Sequence, residues 1–130
     1  MRILLDTHIF LWFISDDERL PLSMQSLICD ATNEVYLSVA SIWESLIKYQ
    51  LGPLPLPESP ETYLPKQRAQ HAIRPLDVDE QSIVHLATLP PLHRDPFDRL
   101  LVAQANQHGL TLATVDAVLV KYPVTTIGLS

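Results

Sequence analysis

Short apolar segments alternate with amphipathic segments along this chain, and that alternation limits the folds it can adopt. Residues 2–5 form a short run of Ile and Leu after the arginine. A run that is apolar on both faces is typical of a strand covered on both sides. Residues 9–13 then place Ile, Phe and Trp at helical spacing. This order predicts an α/β fold, a three-layer α/β/α sandwich with a mainly parallel central sheet.

The rest of the chain repeats the pattern. Further extended segments are predicted at residues 34–39, 72–76, 110–114 and 124–127. Helices are predicted at residues 20–30, 40–49, 61–71, 77–87, 96–108 and, as a short turn, 117–122. Four prolines within residues 51–60 predict an ordered extended segment there. Neither side of it differs in composition, so residues 1–130 are predicted to form a single domain.

The composition narrows the setting in which the chain can work. A single cysteine, Cys29, excludes an internal disulfide and fits a reducing compartment, and we expect it to be buried in a helix. No stretch reaches the roughly 18 apolar residues that cross a bilayer, so we expect a cytoplasmic protein that does not enter membranes. The net charge of −6 argues against a basic nucleic-acid surface, although bound divalent cations would invert the field around their ligands.

Carboxylates stand where the predicted strands end. Asp6 comes directly after the first strand, and Asp116 follows a later one. Glu44 lies in the helix after the second strand, and Asp95 and Asp98 lie at the start of another helix. Because ligands of open α/β folds bind beyond the carboxyl ends of the strands, we expect these acids to meet. Oxygen ligands alone suit Mg²⁺ or Mn²⁺ better than zinc.

Each of these acids also has an interpretation that needs no chemistry. Asp6 can cap the next helix, although Thr7 can do so itself, and a buried carboxylate needs a partner or a metal ion. Ser41 and Glu44 have the S-x-x-E spacing of a capping box, in which the glutamate only satisfies a backbone N–H. Asp116 can be a turn residue that caps a short helix. The residues alone leave these interpretations open.

The acids near residue 96 also fit the start of a helix. Asp95 can be the N-cap, Pro96 the favoured first helical residue, and Asp98 an acid that faces the positive end of the helix dipole. Two acids three residues apart lie on nearly the same helix face, however, and they need a counter-ion. Arg94, Arg99 or a divalent metal ion could supply it.

The remaining polar and aromatic residues give weaker signals. The five histidines show no metal-ligand spacing, and His8, although close to Asp6 in sequence, is more typical of a packing or surface residue. Trp12 and Trp43 fall in apolar helical stripes, and we expect both in the core. Ser38, near the end of the second strand, could hydrogen-bond a metal-bound water or simply fill a tight strand position.

Three stretches of the chain resemble the PIN domain family, and in particular VapC-type toxins of bacterial toxin–antitoxin pairs. They are LLDTH around Asp6, SVASIWE ending at Glu44, and DRLLVAQANQHGLTLATVD from Asp98 to Asp116. The segment PLHRDPFDRLLVAQA is similar to a PIN subgroup that has an extra acid before the usual one. The resemblance covers essentially the whole chain, and it implies that residues 1–130 form a single PIN-like domain.

The resemblance implies a metal-dependent endoribonuclease with RNA as its substrate and Mg²⁺ or Mn²⁺ in an acidic pocket. Asp6, Glu44 and Asp98 would be the central catalytic and metal-binding acids, and Asp116 the more variable fourth. The auxiliary positions that it implies are Asp95, Thr7 and Ser38. It also implies a homodimer that is held inactive by a cognate antitoxin.

Other folds and roles fit the sequence less well. A phosphatase of the haloacid-dehalogenase type needs a second Asp two residues after the first, and His8 occupies that position. A receiver-like domain needs a phospho-accepting Asp at the end of a middle strand, but residues 72–76 end in a helix-cap context. A PIN fold kept as an inactive binding or scaffold module is the alternative that remains. The retention of all the acids argues against it, because an inactive module could shed such a cluster of like charges.

Overall fold

A parallel sheet forms the centre of the protein in the computed structural model, which describes residues 1–52 and 54–128. Its strands are β1 (Arg2–Leu5), β2 (Glu34–Ser38), β3 (Arg74–Leu76), β4 (Thr111–Ala113) and β5 (Thr126–Ile127). The α-helices of this part of the chain are α1 (Thr7–Ile14), α2 (Leu22–Cys29), α3 (Val39–Leu51), α4 (Pro60–Gln70), α5 (Glu80–His85) and α6 (Pro96–His108). Across the sheet the strand order is β3-β2-β1-β4-β5, and every neighbouring pair is parallel.

Side chains of β1 alternate between two hydrophobic clusters, one on each face of the sheet. Ile3 and Leu5 pack in the cluster that includes residues of α1, α2 and α4. Leu4 packs in the cluster that includes residues of α6. Helices therefore cover both faces, and the predicted three-layer α/β/α sandwich is confirmed.

The strand order creates a switch point between β1 and β4. From β1 the chain continues through α1 and α2 to β2, and then to β3. Within the sheet, β2 and β3 lie on one side of β1, whereas β4 and β5 lie on its other side. The N–H of Asp6 donates to the carbonyl of Ala113 at 2.9 Å, which holds the ends of β1 and β4 together. Open α/β sheets bind ligands in such a crevice.

Most predicted elements are confirmed, with ends that differ by a few residues. Helix α6 begins at Pro96 and ends at His108, and the next residue, Gly109, has a left-handed φ of 64°, the conformation that favours glycine at this position. Helix α4 continues through Pro65. Pro53, within the extended segment predicted at 51–60, and residues 129–130, within the predicted domain, lie outside the described residues.

Two packing predictions are wrong. Cys29 is exposed at the end of α2 instead of buried. The side chain of Trp43 is 59% exposed, because its helix turns it away from the core and towards Phe97, whose ring it meets edge-on at 5.0 Å between centroids. No helix in the described part of the chain is long and apolar enough to cross a membrane.

Candidate metal centre

Asp6 stands at the N-cap position of α1, but within the described residues its side chain makes no capping hydrogen bond. The hydroxyl of Thr114 donates to Oδ2 of Asp6 at 2.8 Å, and the N–H of Asp116 donates to the same hydroxyl at 3.0 Å. Oδ1 of Asp6 is buried and has no hydrogen-bond partner in the part of the chain that the structure describes. A carboxylate oxygen buried in this way calls for a cation or a proton.

Helix α3 carries Glu44 to the same edge of the sheet. Ser38 is the N-cap of α3, and its hydroxyl accepts a hydrogen bond from the N–H of Ala40 at 3.1 Å. Because the helix begins at Val39, Glu44 lies in its second turn. The capping box with Ser41 is therefore excluded as the explanation of Glu44.

Glu44 is almost fully buried, and two side chains contact its carboxylate, those of Thr7 and Lys48. The hydroxyl of Thr7 lies 2.8 Å from Oε1 of Glu44 and 2.8 Å from the hydroxyl of Ser41. Because a carboxylate can only accept, Thr7 donates its one proton to Glu44 and accepts one from Ser41. Lys48 Nζ pairs with Oε2 of Glu44 at 2.7 Å. Thr7 is the first residue of α1, so the expectation that it could cap this helix is wrong.

The start of α6 contributes two more acids. Asp95 is the N-cap, and its Oδ1 accepts from the N–H of Phe97 at 2.9 Å, so its capping interpretation is right. Asp98 lies in the first turn and is buried. One oxygen atom each of Glu44, Asp95 and Asp98 can be chosen so that all three lie within 4.8 Å of one another. Capping and clustering therefore coexist at Asp95.

Asp116 follows β4 and faces a histidine. Its Oδ1 accepts from the N–H of Val118 at 2.8 Å, which is the turn contact that the sequence allowed. Its Oδ2 lies 3.4 Å from Nε2 of His93, and the same nitrogen lies 3.2 Å from Oδ2 of Asp98. His93 therefore links the segment after β4 to the first turn of α6.

Burial and mutual repulsion raise the pKa of two of the acids. Burial, the larger cause, and the neighbouring carboxylates together raise the pKa of Asp98 to about 8. Burial also raises the pKa of Asp6. Its effect outweighs those of the hydrogen bond from Thr114 and of His8, which lower this pKa. Both groups are in surroundings that disfavour their charged form unless a positive charge joins them.

The residues present fit a hard divalent cation. The donor atoms are carboxylate oxygens, the ligands that Mg²⁺ and Mn²⁺ prefer. Lys48 already neutralises Glu44. Within residues 1–52 and 54–128, neither Arg94 nor Arg99 forms an ion pair with Asp98, so the arginine counter-ion considered from the sequence is not found. A divalent cation would supply the charge that Asp6 and Asp98 lack.

The structure brings most of the predicted site residues together. They are Asp6, Glu44, Asp95, Asp98 and Asp116, with Thr7 in contact with Glu44. The hydroxyl of Ser38 caps α3, a role that was not considered for it, and the residue lies fully buried at the end of β2.

The sequence patterns did not predict three residues of this neighbourhood. Thr114 stands two residues before Asp116, and His93 stands two residues before Asp95. Lys48 lies one helical turn after Glu44. The only sign of them in the sequence was that each lies two to four positions from one of the acids.

Known proteins resemble this chain in sequence. A sequence model of the PIN domain matches residues 3–124. Ribonuclease VapC16 of Mycobacterium tuberculosis is 38% identical over 61 residues, which are 47% of this chain and 43% of that protein. The match thus spans less than half the length of this curated relative.

Solved structures resemble the chain in fold. VapBC2 from Rickettsia felis, bound to a DNA fragment from its promoter, has a TM-score of 0.72 at 16% identity, with 100% of both chains covered. DNA-bound VapBC from Salmonella typhimurium has a TM-score of 0.68 at 17% identity, with 98% of this chain and 97% of that chain covered. Identities this low show the fold alone. The sequence match over residues 3–124 goes further, and by it the chain belongs to the PIN domain family.

Proposed function

We propose that this chain is an endoribonuclease that uses Mg²⁺ or Mn²⁺ to hydrolyse RNA phosphodiester bonds and acts as the toxin of a toxin–antitoxin pair. The observation that carries the proposal is Oδ1 of Asp6, which is buried without a hydrogen-bond partner among the described residues. The charge of Asp6 is one of the causes that raise the pKa of Asp98 to about 8. Such a cluster is unfavourable without a cation. The likeness to Ribonuclease VapC16 supports RNA as the substrate.

The acids divide into ligands and an auxiliary. Asp6, Glu44, Asp98 and Asp116 would hold the cation, with Asp95 beside them. A divalent cation bound there supplies Lewis acidity, which activates a water molecule and stabilises negative charge on the phosphate and the leaving oxygen. No nucleophilic side chain is required, and the exposed thiol of Cys29 lies on α2, which contributes nothing to this cluster.

Neighbouring side chains fix the orientation of the acids. Thr114 restrains Oδ2 of Asp6, which leaves Oδ1 for a ligand. Thr7 and Lys48 restrain the two oxygens of Glu44. Carboxylates that are already oriented bind a cation without the cost of rearranging first.

Aromatic and basic side chains flank the acids on one side. Lys48, Arg94 and Phe97 line a groove next to Glu44. Trp43 is exposed beside Phe97. Cations bind phosphates, and exposed aromatic rings stack on bases, so the surroundings suit a single-stranded nucleic acid despite the net charge of −6.

Cleavage of a labelled single-stranded RNA by the purified chain tests the proposal. The wild type should cleave with Mn²⁺ or Mg²⁺ and stop when a chelator is added. Asp6→Asn and Asp98→Asn keep the size of the side chain and remove its charge, and each should lower the rate by about 100-fold or more, since even outer neighbours of a metal contribute 10- to 100-fold.

A matched substitution excludes a contaminating nuclease and a general effect of charge. Asp30 is an exposed acid in the turn after α2, where its carboxylate accepts hydrogen bonds from Thr32. Asp30→Asn should cleave like the wild type. The proposal would be contradicted if the wild type cleaved with neither Mn²⁺ nor Mg²⁺, or if Asp6→Asn kept full activity. RNA binding without cleavage would favour the inactive binding or scaffold module instead.

We also infer two protein partners, a cognate antitoxin and a second copy of the chain. The likeness to VapBC2 of Rickettsia felis and VapBC of Salmonella typhimurium supports the antitoxin. Exposed apolar side chains on α3 (Trp43, Leu51) and α5 (Ile83, Val84) offer surface for partners. Co-purification with the product of the adjacent reading frame tests the first partner, and light scattering of the chain alone tests the second. Independent elution of the two proteins would exclude the antitoxin, and a monomer mass would exclude the second copy of the chain.

A further inference from the structure

His93 contacts the candidate metal centre from a segment that is anchored elsewhere. It lies between the short 3-10 helix Leu86–Thr88 and α6. Its backbone N–H donates to the hydroxyl of the buried Tyr122 at 2.8 Å. The ring of His93 is therefore presented to the acids from a fixed point of the backbone.

The tautomer of the His93 ring follows from its neighbour in the chain. The backbone N–H of Asp95 lies 3.1 Å from Nδ1 and donates to it. A backbone N–H can only donate, so Nδ1 must offer its lone pair. The proton of the neutral imidazole is then on Nε2, because the bond made by one ring nitrogen decides the state of the other.

The Nε2–H group faces two carboxylates from different parts of the fold. Its contact with Oδ2 of Asp116, at 3.4 Å, has hydrogen-bond geometry, and Oδ2 of Asp98 is close by at 3.2 Å. The other oxygen of Asp116 is already held by the N–H of Val118. His93 thus completes the restraint of Asp116 and holds it beside Asp98 against their mutual repulsion.

The same three residues could be taken for a set of metal ligands, because one atom from each lies within 4.8 Å of the others. Ligation through Nε2 requires its lone pair, which would move the ring proton to Nδ1. That proton would point at the N–H of Asp95, whose nitrogen lies only 3.1 Å from Nδ1, and two donors would face each other. The bond from Asp95 therefore opposes ligation by His93.

We propose that His93 is a positioning residue, an Nε2–H donor that aligns Asp98 and Asp116 and leaves the coordination of the cation to oxygen atoms. This inference rests on the metal site of the proposed function. Oxygen ligands alone favour Mg²⁺ and Mn²⁺, whereas an imidazole ligand would shift the preference towards Zn²⁺ and Co²⁺. His93 therefore contributes to the choice of cation without touching it.

Two substitutions separate the roles of the two ring nitrogens. In His93→Asn the side-chain oxygen can still accept from the N–H of Asp95, as in an Asx-turn, but the side chain is too short to reach the acids. In His93→Gln the amide N–H group reaches the place of Nε2, and the acceptor for Asp95 is lost. If His93 only stabilises the turn, His93→Gln should weaken Mn²⁺ binding more. If His93 positions the acids, His93→Asn should weaken it more.

Binding of Mn²⁺ to the full chain, followed by the electron paramagnetic resonance signal of free Mn²⁺, measures the difference. We expect His93→Asn to weaken binding by about 10- to 100-fold, the range typical of lost hydrogen bonds to metal ligands, and His93→Gln to stay within about threefold of the wild type. Thermal unfolding without metal ions reports separately on the fold of each variant.

Pulsed resonance spectra of the wild type with Mn²⁺ give a second readout, in which we expect no coupling from a directly bound nitrogen. Such a coupling, the reverse order of the two variants, or equal binding by all three proteins would overturn the role of His93. A wild type that binds no Mn²⁺ would overturn, together with it, the metal-dependent function on which it rests.

Discussion

Asp98 shows at the scale of one residue how strongly the cluster needs a positive charge. Burial, helped by the neighbouring carboxylates, raises its pKa from 3.8 to about 8. Between these two values the folded chain holds a proton on Asp98 that the unfolded chain releases. The stability of the metal-free fold must therefore fall as the pH rises through this window and level off above it.

Asp98→Asn removes this penalty. In a chelator, the substitution should stabilise the protein at pH 8 by about 1.4 kcal/mol or more, the free energy of one pKa unit, and by less at pH 5. Melting temperatures of both proteins at the two pH values check the prediction. Asp30→Asn is the control, because hydrogen bonds with Thr32 lower the pKa of Asp30, and it should stabilise at neither pH. An equal effect of Asp98→Asn at both pH values would show that the buried charge of Asp98 is not the cause.

At the scale of elements, apolar periodicity located the helices and strands, but their ends depend on single residues. Pro96 and Gly109 predicted both ends of α6, because their backbone preferences act locally. The start of α3 was harder, because Ser38 is both the last residue of β2 and the cap of α3. A residue that serves two elements fits a strand pattern and a cap pattern equally well.

Ser38→Ala should therefore weaken α3. Its hydroxyl caps the helix and is fully buried, so its loss should destabilise the protein by about 1 kcal/mol, within the 0.5–2 kcal/mol usual for N-caps. Ser59 is a matched control, because it stands at the N-cap of α4 without a capping side-chain bond among the described residues. Denaturant unfolding of both alanine variants makes the comparison. A larger loss in Ser59→Ala would contradict the assignment of the cap.

At the scale of the whole molecule, the meeting of the acids was predictable and their restraints were not. Parallel strands gather their carboxyl ends at one edge, so a predicted parallel sheet placed Asp6 and Asp116 at the same edge. The pairing of β1 with β4 then brings Thr114 to Asp6 across 108 positions of sequence. Which hydroxyl or ring meets which acid depends on this strand order, which local periodicity does not contain.

We infer that a divalent cation binds between these acids. Anomalous diffraction from crystals grown with Mn²⁺ tests it most directly. We predict a peak about 2.1 Å from Oδ1 of Asp6, within coordinating distance of Asp98, that disappears in Asp6→Asn. Peaks only elsewhere, for example beside the partly buried pair of His108 and Asp79, would contradict it.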